Sequence, residues 1–142
     1  MSALSDDTLR KILVQIQQTA IQSRRSLDLS IQQIQVKERE RRILQLTIDE
    51  ITAMPQDVNM YKGVGKAFIM VPRTTMDEQL KSQEKELSDD IASLTKKAKY
   101  FEKQFNDAQS QLRDIVSFLG LPSQHHQMTL APSQFHHAPK AS

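Results

Sequence analysis

Apolar residues recur along this chain in two long blocks, at steps that alternate between four and three. From Leu9 the steps reach Leu13, Ile16, Ala20, Ser23, Leu27, Ser30, Ile34, Lys37, Arg41, Leu44 and Ile48, and eight of these twelve positions are apolar. From Leu80 they reach Glu84, Leu87, Ile91, Leu94, Ala98, Phe101, Phe105, Ala108, Leu112, Ile115 and Leu119, with eleven of twelve apolar. A mean step of about 3.5 keeps each set on one stripe of a helix and predicts a coiled-coil seam, interrupted by polar residues in the middle of the first block. Ser5 ahead of Asp6 and Asp7 supplies a cap and negative charge for a helix start, and Pro55 stops that helix. Thr47 and Glu50 have capping-box spacing, which predicts a kink or restart near Thr47. Thr75 and Glu78 repeat the box after Pro72, while Gly120 and Pro122 mark the second helix's end. The helices are therefore predicted over about 5–53 and 75–119, each roughly 65 Å long.

Between them the pattern changes. Two β-prone runs, Val58 to Lys62 and Lys66 to Val71, flank Gly63 and Gly65, as in a β-hairpin whose turn needs glycine at positive φ; the hairpin is placed at about 57–71. Arms of equal length joined by a reversing hairpin can zip along their full seams, putting the hairpin at one end and both termini at the other. The second run, Ala67-Phe68-Ile69-Met70-Val71, is apolar at five successive positions and asks for cover on both faces. Fully burying a Phe, Ile, Met or Val is worth about 1.5 to 3 kcal/mol, and an isolated hairpin is marginal in water. Strands from other chains are expected to supply that cover; packing of the run onto its own helices is the competing expectation.

Composition narrows the class. The 142 residues are 38% hydrophobic, with no Trp, two Tyr, five Phe and three Gly, which fits a thin helical seam better than a large core. The fold class expected is mainly α, a long antiparallel coiled-coil hairpin with one β-hairpin between the helices that is completed by strands of other chains. No cysteine is present, so disulfides, thiolate nucleophiles and cysteine-based metal sites are excluded. The acidic start and the lack of a long apolar run lead to the expectation of a cytosolic or nuclear protein without a membrane partner. Net charge is +2 from 19 basic and 17 acidic residues mixed along the arms, and the basic run from Lys37 to Arg42 is broken by Glu38 and Glu40, so no nucleic-acid partner is expected. Gly63-Val-Gly65 lacks the third glycine and the Lys-Ser/Thr pair of a phosphate loop. Asp89 and Asp90 diverge by about 100° around a helix, unsuited to shared acid–base work. His125, His126, His136 and His137 lie in a Gln/Pro/Ser-rich stretch over 123–142, read as a disordered tail outside a single domain of residues 1–122. The expectation is a protein that is no enzyme and carries no cofactor or metal.

The long arms around Asn59-Met-Tyr-Lys-Gly-Val-Gly-Lys-Ala-Phe-Ile resemble the β-type subunits of the prefoldin family, the specific signal lying in Asn59, Met60, Tyr61, Gly63, Gly65, Phe68 and Ile69. What the resemblance implies is a heterohexamer of α-type and β-type subunits whose hairpins build a double β-barrel with six coiled coils hanging from it. It further implies an ATP-independent co-chaperone that holds unfolded actin and tubulin between the arm tips and delivers them to the cytosolic chaperonin CCT. The assembly hairpin would use Met60, Tyr61, Gly63, Val64, Gly65, Phe68, Ile69, Met70 and Val71. Because coiled-coil ends fray, Leu4, Leu9, Ile12 and Leu13 of the first arm and Ile115, Val116, Phe118 and Leu119 of the second are the candidates for client contact. Ile12, Val116 and Phe118 lie off the stepped seam and weigh most; for Leu9, Leu13, Ile115 and Leu119 intramolecular packing is the stronger expectation. A structural tether or assembly adaptor that docks through its β-hairpin is the alternative function.

Overall fold

Two helices of nearly equal length flank one two-stranded sheet in the computed structural model, which describes residues 5–120. Helix α1 spans Asp6–Ala53, strand β1 Met60–Val64, strand β2 Ala67–Val71 and helix α2 Arg73–Phe118. At 48 and 46 residues the helices are each about 70 Å long. The tail over 123–142, with its four histidines, lies outside the described residues, as does Leu4.

The ends follow local chemistry. Ser5 caps α1, its Oγ accepting from the Thr8 N–H at 3.3 Å, and Asp6 and Asp7 fill the first turn. Gly120 adopts φ +64° after α2, and its N–H donates to the Ser117 carbonyl at 3.2 Å. Two capping-box expectations fail. α1 runs unbroken through Thr47, whose hydroxyl donates back to the Ile43 carbonyl at 3.1 Å and so leaves the helix intact. α2 begins at Arg73 rather than near Thr75, because Pro72 holds φ −55° and its carbonyl already accepts from the Met76 N–H at 3.0 Å.

The stepped seam forms the contact between the arms. All twelve positions of the first block are buried or half-buried, and so are eleven of the twelve in the second, Leu119 alone being exposed. Two cross-links mark the antiparallel register that the seam sets: Ser23 Oγ donates to Gln104 Oε1 at 3.3 Å, and Lys37 Nζ lies 3.2 Å from Asp90 Oδ2. The hydrogen bond and charge of Asp90 hold the Lys37 ammonium pKa above the usual lysine value, so this polar seam position stays charged against its partner. Ser23 and Ser30 are buried where the sequence showed only polar interruptions. Ser23 meets α2 at Gln104, next to Phe105 in the chain, whose ring carries the Arg24 guanidinium 5.6 Å from its centroid.

Candidate functional site

At one end of the molecule the hairpin stands clear of the helices. β1 and β2 pair antiparallel in the register Met60↔Val71, Tyr61↔Met70, Lys62↔Ile69, Gly63↔Phe68 and Val64↔Ala67. Opposite residues share a face, so Tyr61, Phe68 and Met70 lie on one side, and Met60, Val64, Ile69 and Val71 on the other. Met60 is the one buried residue among them and Val71 is half-buried. The remaining apolar side chains are exposed, Phe68 to 79%. The run therefore does not pack down onto its own helices, and the sheet has two strands with both outer edges unpaired among the described residues.

The turn differs in detail from the sequence expectation. It comprises Gly65 and Lys66, and Gly65 at φ +60° is the residue that needs glycine's freedom, as at the first central position of a type II′ turn. Gly63 sits within β1 at ordinary φ. A Cβ built on it would meet Phe68 Cε1 at 3.7 Å, an ordinary contact, so the ring of Phe68 lies over a glycine but does not require one.

At the root of the hairpin, Arg73 reaches back across the gap between the arms. Its Nη1 donates to the carbonyls of Met54 at 3.1 Å and Pro55 at 2.7 Å, and its Nη2 to that of Ile51 at 2.5 Å. Sequence reasoning missed this residue, since no local motif announces a partner some twenty positions away.

At the opposite end, the predicted tip residues fall into two groups. Leu9, Ile12, Leu13, Ile115 and Val116 are half-buried. Phe118 is 88% exposed and Leu119 is also exposed. The structure brings these residues to one end of the coiled coil, beside the chain's N-terminal turn. Val14 joins them as an exposed apolar residue that the seam count passed over. It begins a line with Ile21, Leu29, Val36 and Ile43 on α1, all exposed and spaced seven or eight residues apart. That spacing was legible as a second stripe, off the seam, on a helix turning 100° per residue. Leu29, Gln32, Gln33 and Val36 line a shallow groove with Asp90 and Leu94 of α2.

The described residues hold no group of three or more His, Cys, Asp or Glu placed for a metal, and none of their helices is long and apolar enough to cross a membrane.

Comparison with known proteins places these ends in context. Residues 14–117 match the family described as prefoldin subunit. "Probable prefoldin subunit 1" of Dictyostelium discoideum is 33% identical over 92 residues, covering 65% of this chain and 80% of the relative. Prefoldin subunit 1 of Arabidopsis thaliana is 27% identical over 113 residues, 80% of this chain and 88% of the relative. That of Homo sapiens is 28% identical over 116 residues, 82% and 95%. The crystal structure of the prefoldin beta subunit from Thermococcus strain KS-1 superposes with a TM-score of 0.66 at 23% identity, covering 86% of this chain and all of that one, and shares its fold.

Proposed function

The chain belongs to the prefoldin family, and from that premise we propose that it is one subunit of an ATP-independent hexameric co-chaperone, assembled through its β-hairpin with α-type and β-type partners. In this reading the arm tips hold unfolded polypeptides of the actin and tubulin class in the cytoplasm and pass them to the cytosolic chaperonin CCT, by binding and not by catalysis. The hairpin carries it: an apolar sheet exposed on both faces and both edges is unstable alone and complete only with neighbouring strands. The tips supply the second half. Half-buried Ile12 and Val116 beside exposed Phe118 offer small apolar contacts, each weak, which several arms on one client would multiply.

The test replaces Ile12, Val116 and Phe118 with Ser in the full chain and mixes it with partner subunits. The complex should form at its wild-type mass yet lose suppression of aggregation of a chemically denatured client. Full suppression by that variant would sink the client-holding role and leave a tether as the function.

A further inference from the structure

β2 passes into α2 through a single residue, Pro72, whose ring holds φ at −55° and so removes one of the rotations between the sheet and α2 while leaving the others open. α1 is joined less directly. Residues 54–59 separate its end from β1, and among the described hairpin residues only Met60 is buried. Arg73, the first residue of α2, closes this gap by donating to the carbonyls of Ile51, Met54 and Pro55. Ile51 lies in the last turn of α1, Met54 is its C-cap and Pro55 follows it; the Ile51 and Pro55 carbonyls also accept from the Met54 and Val58 N–H groups at 3.2 and 3.3 Å, and the helix dipole favours a cation here. The last turn of α1 has no basic residue of its own. A planar guanidinium spans the three carbonyls from two nitrogens held in a fixed fork, whereas a lysine ammonium offers its three donors from a single point on a flexible stem and holds the same carbonyls less rigidly. The Nε of Arg73 is buried without a partner, so the side chain keeps this geometry through its two terminal nitrogens.

We propose that Arg73 is the positioning residue that sets the angle between the coiled coil and the hairpin, and through it the aim of the arm tips. The root is where a small loss of order matters most. Ten degrees of freedom there displaces the end of an arm about 70 Å long by about 12 Å. For tips that converge on one client, which rests on the function proposed above, such scatter lowers the effective concentration of contacts. The angle itself can be measured without a client.

The chain has no cysteine, so Arg39→Cys on α1 and Lys66→Cys in the turn, both at exposed positions, accept spin labels at two defined places before the full chain is assembled with its partners. Arg39 lies about 20 Å from the end of α1, where ten degrees of freedom corresponds to about 3 to 4 Å. In the Arg73→Met background the distribution of distances between the labels should widen, by up to about that much according to how far the swing lies along the line between them, with helical circular dichroism and the mass of the complex unchanged. Arg73→Lys should give an intermediate width. If Arg73→Met loses helical content, the lysine variant alone decides. A distribution as narrow as wild type in either folded variant overturns the proposal, whatever the client assay shows.

Discussion

Ser30 is the most deeply buried side chain described, 2% exposed, at a seam position where a coiled coil ordinarily places Leu or Ile. Its hydroxyl is satisfied inside α1, donating to the Ser26 carbonyl at 2.8 Å, so the helix pays little for its polarity and the seam gains from its small volume. Ser30→Ala should therefore change stability by less than about 1 kcal/mol, the lost hydrogen bond being offset by better helix propensity. Ser30→Leu should cost about 1 to 3 kcal/mol by overpacking, even though it restores the heptad pattern. Urea unfolding followed at 222 nm separates the two, and a leucine variant more stable than wild type would show that the arms have slack at this level. Hydrophobic periodicity identified the seam but showed Ser23 and Ser30 only as polar interruptions of it. Period reveals which face is shared; it does not reveal how close the partner helix comes. Lys37 repeats the lesson, since Asp90 becomes its partner only once the register between the helices is set.

In the hairpin, two glycines that look alike in sequence do different work. Gly65 occupies φ +60°, a conformation that costs other L-residues about 1 to 2 kcal/mol, while Gly63 lies in a strand with ordinary space above it. Gly65→Ala should weaken the hairpin by about that amount, Gly65→Asn by less because asparagine tolerates the left-handed region, and Gly63→Ala hardly at all. Cross-strand nuclear Overhauser contacts between Lys62 and Ile69 would report the population in each variant, and equal loss at both glycines would refute this assignment of the turn. The existence of a hairpin was legible from its flanking β-prone runs. Its turn was misplaced because Gly-Val-Gly offers two candidates, and only the pairing of Val64 with Ala67 chooses between them. The capping boxes at Thr47 and Thr75 were overread for a related reason: a local motif can cap a helix but does not break one that tertiary contacts continue, nor delay one that Pro72 has already begun.

Taken end to end, the molecule separates its own folding from its need for partners. The arms satisfy each other along the seam, and this division was visible in sequence because helical and strand periods differ; the Arg73 bridge between the two parts was not, because it joins residues far apart in the chain. Phe68 and Ile69 lie on opposite faces of the sheet and contribute nothing to the seam, so charging both should strike assembly alone. Burial of each in an interface is worth about 1.5 to 3 kcal/mol, and a buried unpaired carboxylate adds a further penalty. Losing 3 to 6 kcal/mol of burial corresponds to about 10²- to 10⁴-fold weaker association. Phe68→Asp/Ile69→Asp should thus remain monomeric by native mass measurement at concentrations where the wild-type chain enters a complex with its partner subunits, while helical circular dichroism and the urea midpoint of the arms stay near wild type. A variant that still assembled would mean that the hairpin is not the docking element. One that lost its helices as well would mean that the arms depend on the sheet, against the isolation of the hairpin described above.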